Sequence, residues 1–185
     1  SKIFNRLNIT RKLLWLHNTL AIEKALRKGV FFPILFNKVN VVFVSKYLKK
    51  IKSLLFFFRK KNVIPNFLPK IFEKTKKNFD RKKIFVWSVQ RDKGLQETLN
   101  LWSEKIFMKR KDVKLYIFGI KKKSFKNKLS YYTKRNVFFF DKVSKYKLKT
   151  IYNKSLAMIC LGYDETFCLN ALEANACGLP IITFG

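Results

Sequence analysis

The chain has 185 residues, enough for one full domain or parts of two, and its 48% hydrophobic content excludes a disordered protein. Its 41 Lys and Arg against 11 Asp and Glu give a formal charge of +30. No apolar run approaches the roughly 18 residues of a membrane-spanning helix, so no transmembrane helix is predicted.

Three explanations for the positive charge compete: a nucleic-acid partner, an anionic membrane surface, or genomic drift toward a composition rich in Lys, Asn and Phe. The 20 Phe residues favour drift as at least part of the cause, because a nucleic-acid surface does not require Phe in strands. A polybasic surface still gains about 1 kcal/mol per Lys or Arg near an anionic leaflet. An anionic membrane surface therefore stays open as a partner, whereas nucleic acid is disfavoured.

The first part of the chain is predicted to alternate short strands and helices. Leu13–Leu16 is a short apolar strand, and His17, the only histidine, follows it. Ala21–Lys28 is a basic helix that ends at Gly29, and Val39–Val44 is a strand because β-branched residues dominate it. A histidine beside an apolar run is more often structural, yet His is the commonest proton-transfer side chain, so both roles stay open.

An amphipathic helix is predicted over Lys46–Lys61, with Ser45 as its cap. Its apolar residues recur at helical spacing, and lysines lie opposite them. We favour a surface helix that packs on its own domain. The alternative is a membrane-surface contact to which Phe56 and Phe57 add apolar area.

The stretch Leu68–Arg81 is charged and predicts a connection between domains rather than a packed element. We place the linker itself at residues 73–82. Residues 1–72 and residues 83–185 then form parts of two domains.

The second part alternates strands and helices in the order that a doubly wound parallel sheet requires, with ligand at the carboxyl ends of the strands. The predicted strands are Ile84–Trp87, Val113–Phe118, Asn136–Phe140, Leu156–Leu161 and Leu179–Phe184. The predicted helices are Leu95–Met108, one within Lys121–Arg135, Leu148–Ser155 and Thr166–Cys177.

The composition inverts at the end of the chain. Ser155–Gly185 contains no Lys or Arg, and it holds all three cysteines. In a chain so rich in lysine, a long stretch without Lys or Arg indicates a region where the structure or the chemistry does not tolerate a positive charge. In this stretch Glu165 stands in the loop before the predicted helix, and Glu173 lies about two turns into it. Free N–H groups and the helix dipole at such a helix start favour an anion.

The three cysteines are Cys160, Cys168 and Cys177, whose spacing fits neither a metal site nor a redox pair. An odd number of cysteines in an apolar segment predicts reduced, buried thiols. We therefore predict a cytoplasmic protein, with the inner face of the membrane as an alternative location.

The stretch from Glu165 to Ile182 resembles the donor-binding motif of the family-four retaining glycosyltransferases, the glycosyl transferases group 1 type with the GT-B fold. It reads Glu165-Thr-Phe-Cys-Leu-Asn-Ala-Leu-Glu173, then Ala174-Asn-Ala-Cys-Gly-Leu-Pro180-Ile-Ile. The family has a Glu, seven residues, a second Glu and a small-residue helix ending in Cys-Gly-Leu-Pro. Thr166 and Cys168 stand where the family has glycines, which let the backbone approach the ligand closely. Outside this pattern, Glu173 would most often be a solvated helix residue.

The resemblance implies roles for individual residues. Glu165 would bind the hydroxyls of the donor sugar as a catalytic residue, and Glu173 would bind the ribose. Lys93 and Gly94 match the family's diphosphate-binding turn, and Arg91 would reach in from a shifted position. The other residues with implied roles are Val143 at the nucleotide base, Phe167, Cys168 and Leu169 at the phosphates, and His17 as a second catalytic candidate at the cleft.

The resemblance also implies a fold and an activity. The fold class would be α/β of the GT-B type, with Rossmann-like parallel sheets flanked by helices. Residues 1–72 would be the C-terminal part of the acceptor-side domain, and residues 83–185 an incomplete nucleotide-sugar-binding domain, so we expect a fragment. The reaction would move a sugar from a nucleotide-diphosphate donor to a glycan or lipid-linked acceptor, with retention and without a metal or other cofactor. The resemblance further implies a role in cell-surface polysaccharide or lipopolysaccharide biosynthesis.

Two functions from other classes stay open: a basic nucleic-acid-binding module, and a membrane-peripheral protein on a GT-B-like fold without transferase activity. A nucleic-acid surface needs cations interleaved with exposed aromatic residues on one face. In this sequence the aromatic residues lie mainly in strand runs, which favours the enzyme.

Overall fold

A computed structural model gives the structure of the protein and describes residues 13–32, 39–56, 60–73, 80–89, 93–120, 125, 127–162 and 166–183. The chain divides into two compact units, residues 1–67 and residues 68–185. Each unit contains a parallel β-sheet with helices between its strands. The predicted α/β class is therefore confirmed.

The first unit is built on three parallel strands, β1 (Leu13–Leu16), β2 (Asn40–Phe43) and β3 (Lys61–Val63), in the spatial order β1-β2-β3. Helix α1 (Ala21–Arg27) precedes β2, and helix α2 (Lys46–Lys52) follows it. The central strand β2 is the most deeply buried of the three, in keeping with its β-branched sequence.

The amphipathic segment is shorter than predicted. The Ser45 side chain caps α2 by accepting a hydrogen bond from the Leu48 N–H at 3.1 Å, as predicted. The helix ends at Lys52, however, and a 3₁₀ turn carries the chain to Phe56, which is buried against Phe43. Leu54 and Leu55 continue the apolar periodicity past the helix end, but both are exposed in this turn, and Phe56 is the residue that it buries. Apolar spacing alone therefore predicted too late an end for the helix. Phe57 lies outside the described residues.

The second unit carries five described strands: β4 (Ile84–Trp87), β5 (Lys114–Phe118), β6 (Val137–Phe140), β7 (Ala157–Ile159) and β8 (Ile181–Ile182). Its helices are α3 (Leu95–Leu101), α4 (Phe107–Lys109), α5 (Leu129–Thr133), α6 (Lys145–Lys154) and α7 (Leu169–Ala176). The strands are all parallel, in the spatial order β6-β5-β4-β7-β8. All five predicted strands are present, and β4 lies at the centre with its carboxyl end between those of β5 and β7.

The core of the second unit lies between this sheet and its helices. A π-helical turn, Trp102–Ile106, joins α3 to α4, so that the predicted helix over Leu95–Met108 is continuous. Trp102 is fully buried, and its Nε1 donates a hydrogen bond to the carbonyl of Arg135 at 2.8 Å. The indole therefore ties the helix to the turn that precedes β6.

Part of the stretch expected to be a charged connection packs on the second unit. Phe72 is 1% exposed and belongs to the core of this unit, where its ring lies 6.3 Å from that of Tyr152. Lys149 donates a hydrogen bond to the carbonyl of Ile71 at 2.6 Å. The 3₁₀ turn Lys70–Phe72 is thus held against α6.

Arg81 binds the C-terminal ends of two helices at once. Its Nη1 donates to the carbonyls of Tyr152 and Ser155, at 3.0 and 2.7 Å, at the end of α6. Its Nη2 donates to the carbonyls of Cys177 and Gly178, at 3.2 and 2.9 Å, just past the end of α7. The last carbonyls of a helix have no partner within the helix, so one guanidinium satisfies both ends.

The two helices nearest the predicted site begin at different residues from those expected. Helix α6 starts at Lys145, three residues before the predicted start, because the Ser144 side chain caps it by accepting from the Lys147 N–H at 3.3 Å. Helix α7 starts at Leu169 rather than Thr166, with Cys168 as its N-cap. Cys168 makes no side-chain capping bond to the first turn of α7.

Candidate active site

Two loops that follow neighbouring strands are in direct contact at the carboxyl edge of the second sheet. Gly94, in the turn after β4, has a φ of +78°. A methyl group built on Gly94 would overlap the carbonyl of Leu161 and come within 2.7 Å of the nitrogen of Gly162, both of which follow β7. A side chain built on Gly162 would in turn lie 3.1 Å from the carbonyl oxygen of Lys93. The backbones approach so closely that only glycine fits at position 94.

The start of α7 lies beside the end of β7. The sulfur atoms of Cys160, just after β7, and Cys168, the N-cap of α7, are 3.8 Å apart. None of the three cysteines forms a disulfide. Cys160 and Cys177 are buried as predicted, while Cys168 is partly exposed. The contact between two thiols eight residues apart was not expected from the sequence, because their separation corresponds to no known redox spacing.

A cavity of about 340 Å³ opens at the carboxyl ends of β4 and β5, next to the starts of α6 and α7. Its apolar wall is formed by Val89, Phe118, Val143 and Leu148. Its polar lining consists of Ser88, Asn170 and the two lysines Lys142 and Lys145. Mostly apolar walls with a few polar groups are typical of small-molecule sites, and the volume suits a nucleoside-sized group.

A network of hydrogen bonds fixes the floor of this cavity. The Ser88 hydroxyl is 2.7 Å from the Tyr152 hydroxyl, and the Asn170 side-chain amide donates to the Ser88 carbonyl. The end of β4 is thereby tied to both α6 and α7. Burial raises the pKa of Tyr152 well above its ordinary value, so the phenol stays protonated and neutral.

Glu173 forms a buried ion pair with Lys145. The glutamate is 1% exposed, and both of its carboxylate oxygens lie 2.6 Å from the Lys145 Nζ. The lysine side chain is 48% exposed and lines the cavity. A buried carboxylate needs such a partner, because an unpaired charge in the interior carries a large desolvation cost.

The structure brings several predicted residues together at one edge of the second sheet. Lys93 and Gly94 contact the segment after β7, and Val143 lines the cavity. The predicted phosphate-binding group Phe167, Cys168 and Leu169 lies at the start of α7, and Glu173 lies within that helix. Arg91 and Glu165 lie outside the described residues.

His17 lies in the first unit, directly after β1, where it is exposed and its ring centroid is 5.2 Å from that of Trp15. Its predicted role at a cleft stays a prediction.

Sequence reasoning missed Ser88, Lys142, Lys145, Tyr152 and Asn170 as lining or supporting residues of the cavity. For Lys145 the sequence offers no signal, since it is one of 41 cations and its partner is 28 residues away. The only usable signal for Asn170 is its position near the start of a helix whose N-terminus is predicted to favour an anion.

The described residues offer neither a metal site nor a membrane-spanning helix. These residues contain no cluster of three or more His, Cys, Asp or Glu side chains that could bind a metal ion. Within the same ranges, the helices are all too short or too polar to cross a membrane.

The second unit matches a known protein family. Residues 68–184, which cover the whole second sheet, match the family described as glycosyl transferases group 1. No curated protein is significantly similar to the sequence.

Comparison with solved structures relates the fold to glycosyltransferases. A mutant of S. aureus TarM in complex with Fondaparinux, alpha-GlcNAc-glycerol and UDP matches with a TM-score of 0.75 at 18% identity, over 97% of this chain and 38% of that chain. Sucrose-phosphate synthase from Thermosynechococcus elongatus matches with a TM-score of 0.74 at 18% identity, over 98% of this chain and 52% of that one. WaaG, a glycosyltransferase involved in lipopolysaccharide biosynthesis, matches with a TM-score of 0.66 at 12% identity, over 98% and 61%.

These structures share the GT-B fold, and the predicted fold type is thereby confirmed. Identities this low show a common fold only. The chain spans 38% to 61% of the length of the three proteins.

Proposed function

Because this chain belongs to the glycosyl transferases group 1 family, which matches more than half of it, we propose that it carries the donor site of a glycosyltransferase. The enzyme would transfer a sugar from a nucleotide-diphosphate sugar to an acceptor. The observation that carries this proposal is the cavity at the carboxyl edge of the second sheet, which Asn170 at the start of α7 helps to line. The Lys93–Gly94 turn lies at the same edge, against the segment that follows β7.

The cavity and the neighbouring turn suit the two halves of a nucleoside diphosphate. The apolar wall formed by Phe118 and Val143 suits a nucleobase. The diphosphate would lie toward Lys93 and the N–H groups at the start of α7, since a cation and a helix N-terminus both stabilise negative charge. The structure of S. aureus TarM with bound UDP supports a nucleotide ligand for this fold.

The chemistry that we propose follows from the charge of the leaving group. A nucleoside diphosphate gains negative charge as the bond to the sugar breaks, and Lys93, with Arg91, would stabilise that charge. We propose that these cations act in place of a metal ion. Glu165 would bind hydroxyls of the donor sugar, and transfer with retention of configuration is proposed from the family resemblance.

The acceptor and the pathway are further proposals. A glycan or lipid-linked acceptor and a role in cell-surface polysaccharide or lipopolysaccharide biosynthesis are supported by the similarity to WaaG. We also propose that the protein works in the cytoplasm at the inner face of the membrane. The charge of +30 supports this location, because an anionic leaflet attracts a polybasic surface.

Calorimetric binding of UDP, ADP and GDP to the chain tests the donor site and identifies the base. We expect one of the three to bind, and Lys93→Ala to weaken that binding about 10- to 100-fold, as expected for a hydrogen bond to a charged group. The loss should shrink at high salt, where the contribution of an exposed charge is screened.

Lys109→Ala is the matched control. Lys109 is exposed at the end of α4, at the edge of the sheet opposite the cavity, so its loss should leave the dissociation constant unchanged. Binding of a short oligonucleotide at two salt concentrations tests the nucleic-acid alternative. Salt-sensitive oligonucleotide binding without any response to a nucleoside diphosphate would overturn the proposed function.

A further inference from the structure

Two cysteines stand at the two ends of the loop between β7 and α7. Cys160 comes directly after β7, Cys168 is the N-cap of α7, and their sulfur atoms are 3.8 Å apart. The bond between the sulfur atoms of a disulfide is about 2.05 Å long, so the two atoms need to approach each other by only about 1.8 Å. Neither cysteine forms a disulfide in the structure. The pair is therefore close to the geometry of a disulfide without being joined.

The two thiols differ in how readily a reagent reaches them. Cys160 is 6% exposed, whereas Cys168 is partly exposed. Cys168 also lies at the positive end of the α7 dipole, which favours a thiolate, the form that oxidants attack. Cysteines that sense oxidants are typically accessible and have a second cysteine beside them that forms the disulfide. Cys168 has the position of the first thiol, and Cys160 has the position of the second.

A disulfide at this place would act on the neighbouring cavity. The Cys160 N–H donates to the carbonyl of Ile182 in β8 at 2.8 Å, which holds the end of β7 in the sheet. The approach of the two sulfur atoms therefore draws on the start of α7. Asn170 lies two residues after Cys168, lines the cavity and donates to the Ser88 carbonyl. Any movement of Cys168 toward β7 changes the position of this amide.

We propose that Cys168 is an oxidation site, that Cys160 joins it in a reversible disulfide, and that this disulfide weakens nucleotide binding at the cavity. The oxidant is a peroxide. The effect on binding rests on the proposed function, whereas the formation of the disulfide does not. A reversible disulfide also suits the proposed cytoplasmic location, because disulfides in that compartment are usually transient and serve catalysis or redox sensing.

The oxidation takes place in two steps. The Cys168 thiolate attacks one oxygen of hydrogen peroxide and breaks the O–O bond, which gives a sulfenic acid and one water. The Cys160 sulfur then attacks the Cys168 sulfur, the S–O bond breaks, and the hydroxyl group leaves with the proton of Cys160 as a second water. Two thiols are oxidised to one disulfide, and one peroxide is reduced to two waters. A dithiol such as dithiothreitol reverses the reaction by exchange.

Proteolysis of the whole chain identifies which cysteines are joined. Ser155–Gly185 contains no Lys or Arg, so trypsin leaves all three cysteines in one peptide. A protease specific for Glu cleaves after Glu165 and Glu173 and places each cysteine in a separate peptide. The chain is treated with hydrogen peroxide and its remaining thiols are alkylated before digestion. We expect the peptides of Cys160 and Cys168 to appear as one mass that dithiothreitol separates into two.

Calorimetry measures the effect of the disulfide on the donor site. The ligand is the nucleoside diphosphate that the reduced chain binds best. We expect the oxidised chain to bind it about tenfold more weakly, as when one hydrogen bond of the site is lost. Dithiothreitol should restore the original dissociation constant, which separates a reversible disulfide from irreversible oxidation.

Two alanine variants are matched controls. Cys160→Ala removes the second thiol, so peroxide should give no joined peptides and should leave on Cys168 a sulfenic acid that dimedone traps. Cys177 lies at the other end of α7, about 13 Å from Cys168 along the helix at 1.5 Å per residue. Cys177→Ala should keep both the joined peptides and the loss of affinity. Thermal unfolding checks the fold of each variant, and the unmodified chain decides the question alone if a variant does not fold.

The outcomes separate the inference from the proposed function. Oxidation that joins other cysteines, or that leaves Cys160 and Cys168 unjoined, would overturn the inference and leave the proposed function standing. A joined pair with unchanged nucleotide affinity would refute the control of the donor site, again without touching the proposed function. If the reduced chain binds no nucleoside diphosphate, the proposed function fails and the control of binding fails with it, whereas the peptides still decide whether the disulfide forms.

Discussion

Arg81→Ala is expected to destabilise the second unit by about 3 kcal/mol. The substitution removes four hydrogen bonds from one guanidinium to carbonyls at the ends of α6 and α7. Ser155 and Cys177, which supply two of these carbonyls, are buried, so water does not readily replace the lost donor. Helix ends buried without a partner carry a desolvation cost. Urea denaturation followed by tryptophan fluorescence measures the change in the free energy of unfolding.

Two further substitutions serve as controls for this prediction. Arg81→Lys should recover only part of the loss, because one ammonium cannot span two helix ends as a planar guanidinium does. Lys82→Ala, at the exposed neighbouring position, should change the free energy of unfolding by less than about 0.5 kcal/mol. An Arg81→Ala protein as stable as the Lys82→Ala protein would show that the four hydrogen bonds contribute little.

Gly94→Ala is expected to reduce both stability and nucleotide binding. An L residue at a φ of +78° is strained, which costs of order 1 kcal/mol or more. The new methyl group would also overlap the Leu161 carbonyl, so the two loops must move apart. We expect a total loss of about 3 kcal/mol, since overpacking against a rigid backbone adds its own cost. Nucleotide affinity should fall by at least about tenfold, because the same loops frame the proposed diphosphate site.

Gly119 supplies a control that isolates the close approach of the loops. It has a φ of +84°, similar to that of Gly94, but an added methyl group would meet nothing within 4 Å. Gly119→Ala therefore carries the backbone strain without the overlap, and its unfolding free energy should fall by the smaller amount. Equal losses in the two variants would mean that the contact between the loops contributes nothing to the free energy of unfolding.

The sheet of the second unit was predictable because its signals are local. Apolar runs bounded by Gly, Pro or charged residues predict the strands, and the alternation with helices predicts parallel pairing. The Lys93–Gly94 turn was identified from its resemblance to the family's diphosphate-binding segment and from its place between the first strand and the first helix of this unit. The resemblance also assigned these positions to a donor site, which stays a prediction. The family match to residues 68–184 confirms the family.

The pairings that depend on the folded chain were not predictable. Lys145 meets Glu173 only because α6 packs beside α7, and nothing distinguishes this lysine among 41 cations in the sequence. Arg81 lies in a stretch read as a charged connection, yet its hydrogen-bond partners are more than 70 residues away along the chain. In each case a Lys or Arg, which is usually exposed, pairs with a buried polar group. The sequence does not reveal that this group is buried, because its burial depends on how the helices pack.

The central position of β4 has a consequence for the order in which the unit folds. Strand β4 pairs with β5, about 30 residues later, and β6 pairs with β5, so these three strands need only short loops to be closed. The pairing of Phe85 with Ala157 closes a far longer loop and requires everything between them to be in place. During synthesis, the half of the sheet that begins with β4 can therefore form while β7, α7 and β8 are still being made. The part of the sheet next to the proposed donor site is therefore completed last. Until β7 is in place, the backbone hydrogen-bonding edge of β4 that will pair with β7 is unpaired and open to incorrect strand pairing.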